Sequence, residues 1–206
     1  VSYSIISYQC AWLSHYYSTE WVAAFLDKEP ESRKEKAINL AKQHGYKIKP
    51  LNINYSEMTW KIIDDETLVA PLTTIKGLGE KAIEQVLLHR PFNTIEDLLF
   101  NDKVVYSKLN KKALDVLCRS GAIDDLIDDR FTGSKHFWYA TCVDRPRTAK
   151  KLAEHINTYR SEGSFTEEEK IEFLADLTGI FPMSMVVTED VQRRLDELYV
   201  PAISDY

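Results

Sequence analysis

The sequence predicts a mainly α-helical chain that also contains one short β-hairpin and a pair of helical hairpins. Three observations predict this fold class. Apolar residues recur at helical spacing through most of the chain, helix-capping residues precede several of these segments, and glycine and proline number only seven each. With 206 residues, of which 44% are hydrophobic, the chain can bury a core and form one or two domains. We expect regions at residues 1–70, 71–130 and 131–206.

The charge distribution limits the kinds of partner that the chain can bind. The net charge is −6, but residues 1–120 carry 16 Lys and Arg against 15 Asp and Glu, whereas residues 121–206 carry 10 against 17. A nucleic acid must therefore be bound by a local basic patch and by backbone donors. No apolar run reaches the roughly 20 residues that a bilayer requires, and no segment resembles a signal peptide, so the expected compartment is the cytoplasm.

Residues 3–25 predict a helix whose apolar side chains lie on several faces. Because no face is consistently polar, we expect other protein to enclose this helix, although this chain offers little to enclose it. The chain also begins inside this helical pattern, which favours a processed product or a part of something longer. The apolar and aromatic positions are Ile5, Ile6, Tyr8, Trp12, Leu13, Tyr16, Trp21 and Phe25.

The next segments predict a helix followed by short extended elements. The helix covers residues 32–44, and a glycine occupies its C-cap position. Pro50 and two asparagines favour an extended stretch at residues 47–54. Residues 60–63 and 67–70 lie on either side of an acidic turn and predict a β-hairpin.

The stretch Lys76-Gly-Leu-Gly79 joins a short helix to a longer one at residues 80–89. Glycine allows a positive φ and brings bare backbone close to a ligand, so N–H groups at the start of the longer helix can form a nest for a phosphate oxygen. Lys76 and Lys81 supply positive charge, and Leu78 is expected to turn inward. This is the helix-hairpin-helix pattern of DNA-binding proteins. The alternative is a tight αα-corner in which the glycines only permit close packing.

A second basic hairpin follows at a spacing suited to a tandem pair. Thr94 and Asp97 resemble a capping box for a helix through about Phe100, and residues 108–119 predict an amphipathic helix. A solvated basic helix face is the alternative for the lysines of this hairpin. The residues expected to contact DNA are Thr74, Lys76, Gly77, Leu78, Gly79, Lys81, Lys108, Lys111 and Lys112.

The last third of the chain predicts further helices. Residues 149–160 and 166–177 are helical in pattern, and the second of these segments begins with a capping box. Thr188 is expected to cap a last helix through about Tyr199. Residues 133–147 are aromatic and show no regular pattern, so no element is predicted there.

Other groups of chemically active residues favour structural roles. The acidic pairs Asp64-Asp65, Asp124-Asp125 and Asp128-Asp129 border turns or helix ends, where Asp is favoured as a cap. The histidines and the three cysteines lack metal-ligand spacing, so no metal site is expected and the thiols are expected to be reduced. Trp138 and Tyr139 indicate a hydrophobic cluster, with stacking on single-stranded bases as the alternative.

Five stretches, in order along residues 1–130, carry a family resemblance. They are Val1-Ser-Tyr-Ser-Ile-Ile-Ser-Tyr-Gln-Cys-Ala-Trp-Leu13, Glu20-Trp-Val-Ala-Ala24, Ile48-Lys-Pro-Leu-Asn-Ile-Asn-Tyr-Ser56, residues 72–82 and residues 108–124. These stretches resemble motifs of the C-family bacterial replicative DNA polymerases, the polymerase III alpha subunits. Beyond residue 130 the resemblance fades and no clamp-binding peptide is visible, which a divergent, phage-encoded polymerase would explain.

The resemblance implies that residues 1–70 continue a fingers region and that the tandem hairpins grip primer-template DNA. In that family the palm aspartates that hold two Mg²⁺ ions lie N-terminal to residue 1, so no catalytic residue is expected in this chain. Mg²⁺ is expected for the complete polymerase, and its palm and fingers part is an expected partner. Tyr3, Tyr8 and Gln9 are candidates to lie near the nucleotide, with packing as the alternative.

Two functions of different class remain open at this point. The chain is either the duplex-binding part of a DNA polymerase or a free-standing DNA-binding or scaffold protein. The first helix discriminates between them, because a self-sufficient protein is expected to have a polar stripe on that helix.

Overall fold

The computed structural model describes residues 2–179, together with Val191, Arg193, Arg194, Glu197 and Leu198. This part of the chain is mainly α-helical and contains a small sheet, which confirms the predicted fold class. The helices are α1 Ser2–Tyr16, α2 Ser18–Lys28, α3 Glu31–Gln43, α4 Glu80–His89, α5 Ile95–Leu99, α6 Lys111–Arg119, α7 Ser134–Trp138, α8 Ala149–Thr158 and α9 Glu167–Thr178. The strands are β1 Lys47–Lys49, β2 Lys61–Asp64 and β3 Thr67–Val69.

The N-terminal segment forms two helices, so the prediction of a single helix over residues 3–25 is wrong. The break lies at Tyr17, whose φ of −136° and ψ of 55° are not helical. Thr19, in the first turn of α2, is buried, and its hydroxyl donates a hydrogen bond to Asp65 O in the turn of the β-hairpin. A tertiary contact therefore fixes the start of α2, and the local apolar pattern does not show it.

The sheet contains the predicted hairpin and adds a third strand. β2 and β3 pair in antiparallel fashion, and β1 pairs in parallel with the other edge of β3. Only the first three residues of the extended stretch, which form β1, join the sheet. β1 ends before Pro50, which has no N–H to continue the hydrogen-bond ladder. Leu68 in the central strand is fully buried, so the sheet belongs to the main core.

One cluster of buried apolar side chains runs through all three predicted regions. This packing is continuous across residues 70 and 130. The division of the chain into regions at these two positions stays a prediction. In the second hairpin α6 packs against α7 and α9, whereas α2 packs against α3 and the sheet. The buried members include Leu26, Ile38, Leu68, Leu72, Ile83, Leu98, Leu114, Phe137, Leu152 and Leu177.

The aromatic segment at residues 133–147 contains α7 and a π-helical turn at Tyr139–Val143, which the sequence did not predict. A buried histidine holds this segment in place. His136 Nδ1 accepts a hydrogen bond from Thr132 N at 2.9 Å, and His136 Nε2 donates one to Ile156 O at 2.8 Å. These helical turns therefore depend on contacts with distant backbone, since their own residues are poor helix formers.

Packing also accounts for Trp138 and Tyr139. Trp138 Nε1 donates a hydrogen bond to a carboxylate oxygen of Asp115 at 2.7 Å. The ring of Tyr139 stacks on that of Tyr159, with 5.3 Å between the centroids. Both aromatic rings thus belong to an internal cluster, as the sequence favoured, and are engaged by protein partners.

Capping residues set several helix ends. Both predicted capping boxes form, at Thr94 with Asp97 and at Thr166 with Glu169. The predicted cap Thr188 lies outside the described residues, but Val191, Arg193, Arg194 and Glu197, within the helix predicted after it, are described and helical. Within residues 2–179, no helix combines the length and the apolar run that a bilayer crossing requires.

Candidate nucleic-acid interface

The first hairpin turn has the backbone conformation that its glycines predicted. Gly77 has a φ of +86°, a left-handed conformation that side chains with a Cβ rarely adopt. Gly79 is the N-cap of α4, with a φ of −72° and a ψ of 151° and without a side-chain cap. A Cβ atom placed on Gly79 would meet nothing within 4 Å. Gly77 therefore shapes the turn, and Gly79 leaves the end of α4 open.

The open end of α4 presents unpaired backbone donors. Within residues 2–179, the amides of Gly77, Gly79, Glu80 and Lys81 have no hydrogen-bond acceptor. The amide of Lys76 is different, because it donates to Leu177 O at 2.7 Å. The unpaired donors are therefore centred on the first turn of α4, where the positive end of the helix dipole adds to them.

Two of the predicted contact residues point inward. Thr74 is buried, and its hydroxyl donates a hydrogen bond to Pro71 O at 2.7 Å, so the side chain stabilises the short 3₁₀ turn before the hairpin. The hydroxyl of Thr74 is therefore engaged inside the protein, and a contact between Thr74 and DNA stays a prediction. Leu78 is also buried, as expected for a side chain that anchors the hairpin in the core.

Charged side chains surround the open turn. Lys76 and Lys81 are both exposed, one on each side of Gly79. Glu80, in the first turn of α4, is exposed as well. Its carboxylate favours helix formation through the dipole but opposes a phosphate bound at the same turn. The positive potential is therefore weaker than two lysines alone would produce.

The second hairpin differs from the first in how its helix begins. Asn110 caps α6, and Asn110 Oδ1 accepts a hydrogen bond from Ala113 N at 3.0 Å. The helix therefore begins at Lys111, three residues later than predicted. Lys108, Lys111 and Lys112 are exposed, as a basic contact surface requires. Because a side chain already occupies the end of α6, a phosphate there would be bound by lysine side chains more than by backbone donors.

The two hairpins lie against each other. A Cβ atom placed on Gly77 would lie 3.6 Å from Lys112 Cε and 3.7 Å from Val116 Cγ1, so α6 passes directly beside the first turn. Gln85 Oε1 in α4 accepts a hydrogen bond from Val105 N at 2.8 Å, in the loop that leads to the second turn. The structure thus brings the predicted lysines of both hairpins to neighbouring positions.

The candidate nucleotide-proximal residues lie on α1. The exposed fractions of Tyr3 and Tyr8 are 87% and 70%, and Gln9 is also exposed. Tyr8 and Gln9 line a shallow depression with Trp12 and Leu13. Packing within this chain does not cover these side chains, and their place near a nucleotide stays a prediction.

The acidic pairs serve as turn caps and ion-pair partners. Asp64 accepts a hydrogen bond from a backbone amide in the β-hairpin turn, and Asp125 accepts one from Asn52 Nδ2 at 2.6 Å. Asp128 forms an ion pair with Arg130 at 2.6 Å, and the hydrogen bonds from this guanidinium lower the pKa of the Asp128 carboxyl. Across the described residues, no group of three His, Cys, Asp or Glu side chains is arranged to hold a metal ion.

One set of residues beside the second hairpin was missed by sequence reasoning. Arg145 Nη1 donates a hydrogen bond to Leu109 O, and its guanidinium lies over the ring of Tyr106, 4.2 Å from the centroid. Arg147 lies 5.9 Å from the same centroid. The basic run Arg145-Pro-Arg147 was the available signal, but its position in the acidic third of the chain gave no indication of the hairpin beside it.

Comparison with known proteins places this geometry in a family context. A family model described as a helix-hairpin-helix motif matches residues 45–132. The DNA polymerase III subunits alpha of Pseudomonas aeruginosa and of Escherichia coli strain K12 are each 33% identical to this chain over 132 residues. Part of this chain is therefore similar to part of the alpha subunit of DNA polymerase III. The motifs in residues 1–130 had predicted this similarity.

The match to DNA polymerase III alpha subunits covers a small part of those proteins. The alignments with the Pseudomonas aeruginosa and Escherichia coli subunits each cover 61% of this chain and 11% of the relative. The DNA polymerase III subunit alpha of Buchnera aphidicola subsp. Schizaphis graminum is 26% identical over 188 residues, which cover 82% of this chain and 16% of the relative. A match of that extent includes residues beyond 130, where the sequence motifs alone showed no resemblance.

Proposed function

We propose that this chain is the part of a replicative DNA-directed DNA polymerase that holds duplex DNA by its phosphate backbone. The observation that carries the proposal is the open first turn of α4, where the amides of Gly79, Glu80 and Lys81 lack acceptors within residues 2–179 and lie close to Lys76. The relationship to DNA polymerase III alpha subunits supports a role in replication. Contacts to phosphates orient a duplex without reading its bases, so the binding is non-specific in sequence.

The chemical step is proposed to lie in another part of the polymerase. Nucleotide transfer requires two Mg²⁺ ions held by converging carboxylates. Among the described residues, no three His, Cys, Asp or Glu side chains converge in this way. The palm and fingers part, with its Mg²⁺, is therefore the proposed partner of this chain. The cytoplasm stays the expected compartment.

The exposed face of α1 favours this proposal over a free-standing DNA-binding or scaffold protein. Tyr3 and Tyr8 are largely exposed, and Ile5 and Ile6 are each 54% exposed. A protein that works alone is expected to carry polar side chains there, whereas a helix that packs on another part of a polymerase is expected to be apolar. We assign α1 to that contact, with Tyr3, Tyr8 and Gln9 nearest the nucleotide site.

The proposal is tested by fluorescence anisotropy with three labelled DNAs of equal length. They are a primer-template duplex, a duplex of scrambled sequence and a single strand. We expect equal affinity for the two duplexes and weaker binding of the single strand, because the proposed contacts reach duplex backbone phosphates and no base. A preference for the single strand, or a strong preference for one duplex sequence, would contradict backbone binding by the hairpins.

Replacing Glu80 with glutamine is expected to raise the affinity for duplex DNA about two- to fivefold at low salt, because it removes an exposed negative charge beside the phosphate. Glu84→Gln, one turn later on α4, is the matched control and is expected to have a smaller effect, since the dipole acts within the first turn. The same anisotropy titration measures both variants. An equal change in both would place the phosphate away from the first turn of α4.

A further inference from the structure

Arg145 and Arg147 form a basic cluster outside the two hairpins. The guanidinium of Arg145 is fixed twice, by its hydrogen bond to Leu109 O and by its position over the ring of Tyr106. Arg147 is exposed at the same ring, at the rim of a depression of about 310 Å³ whose other lining residues are Leu99, Tyr106, Arg145 and Pro146. Arg145 is therefore held in place, and the exposed guanidinium of Arg147 lies at the same ring.

The charges of this cluster have no carboxylate partner in the part of the chain that the structure describes. Burial lowers the pKa of Arg145 from its ordinary value, but an arginine remains charged at neutral pH. A partly buried positive charge without a counter-ion is unfavourable, and a bound anion would offset that cost. By contrast, three other arginines have carboxylate partners at 2.6 to 2.7 Å: Arg90 with Glu57, Arg119 with Asp115, and Arg130 with Asp128.

A line of contacts joins the cluster to the first hairpin turn. Lys112 Cε lies beside Gly77, and Lys112 belongs to the first turn of α6. Asn110 caps that turn, and the preceding carbonyl, that of Leu109, accepts the hydrogen bond from Arg145. The open turn of α4, Lys112 and the arginine cluster are therefore linked through successive neighbours along the start of α6. Asp102 lines an adjoining depression together with Arg147.

We propose that Arg147, oriented on Tyr106 beside Arg145, binds a further backbone phosphate of the duplex that the first hairpin holds. This inference rests on the proposed function and extends it, because it gives residues beyond 130 a direct role in DNA binding. A phosphate in the depression would accept charge-assisted hydrogen bonds from the planar guanidinium. The contact adds affinity and fixes the direction in which the duplex leaves the hairpins, and it reads no base.

The test replaces Arg147 with glutamine in the full 206-residue chain and measures duplex affinity at several salt concentrations. Removal of one phosphate contact is expected to make the slope of log K against log[salt] less negative by about 0.9 and to weaken binding about three- to tenfold at low salt. Arg147→Lys keeps the charge and is expected to keep the slope. Arg160→Gln removes the same charge from an exposed position at the far end of α8 and is the matched control.

The outcomes separate this inference from the proposed function. A reduced slope in Arg147→Gln, with an unchanged slope in Arg160→Gln, supports the additional phosphate contact. If the two variants have equal slopes while a change at Gly79 still weakens duplex binding, the contact at Arg147 is overturned. The hairpin proposal then remains intact. A wild-type chain that does not bind duplex DNA overturns both proposals.

Discussion

Replacing Gly79 with aspartate is expected to stabilise the chain and to weaken its binding to duplex DNA at least about tenfold. The φ of −72° and the open space around a Cβ at this position allow any residue. An aspartate there can cap α4 by accepting hydrogen bonds from the amides of its first turn. The cap and its charge are expected to raise the free energy of unfolding by a few tenths to about 1 kcal/mol. The same carboxylate occupies the donors and repels the phosphate.

Gly79→Asp is informative because it is expected to raise the free energy of unfolding and to lower the affinity for DNA. Loss of binding by a chain that has become more stable cannot result from unfolding. Gly79→Asn caps the helix without adding charge, so it separates occupation of the donors from repulsion. Asn157→Asp, at an exposed position of α8, controls for the change in net charge. Urea denaturation gives the stability and anisotropy gives the affinity. Unchanged duplex affinity in Gly79→Asp would remove the open end of α4 from the interface.

Replacing Gly77 with valine is expected to destabilise the fold by about 1–3 kcal/mol, because a β-branched residue is forced into a left-handed conformation. The φ of +86° causes this strain, since the nearest atom to a Cβ, Lys112 Cε, would be at an ordinary contact distance of 3.6 Å. The two glycines of the turn therefore have different roles. A Gly77 variant that loses DNA binding can do so because the turn is distorted or because a contact with DNA is removed.

A series at the two positions tests this difference by urea denaturation. Gly77→Asn is expected to lose less stability than Gly77→Ala, because asparagine tolerates the left-handed region better. Gly79→Ala is expected to lose less than about 1 kcal/mol, since alanine is only a poorer N-cap than glycine. The slope of the unfolding free energy against urea should be unchanged, which shows that the midpoint reports stability. Equal midpoints for Gly77→Ala and the wild-type chain would contradict the positive φ.

Sequence reasoning succeeded where the cause of a structure lies within a few residues. The glycine turn before α4 and the capping boxes at Thr94 and Thr166 depend on local dihedral preferences and short hydrogen bonds. The β-hairpin likewise follows from its own pattern. The similarity to DNA polymerase III alpha subunits was predicted from short local motifs in order along the chain.

Prediction failed where a distant part of the chain decides the structure. The break at Tyr17 accompanies a contact with the β-hairpin, and α7 is held by hydrogen bonds from His136 to Ile156 O and Gly163 O. The amide of Lys76 finds its acceptor at Leu177 O, near the end of α9. Arg145 reaches the second hairpin from a segment without a predicted element. None of these contacts has a local pattern in the sequence.

The salt dependence of duplex binding tests the central claim most directly. A short duplex is titrated with the full chain at several salt concentrations, and log K is plotted against log[salt]. If the open turn of α4 and the neighbouring basic side chains hold a few phosphates, duplex binding occurs at low salt and the slope is about −2 to −4. Absence of binding at low salt, or an affinity that does not change with salt, would contradict a backbone-gripping interface on these hairpins.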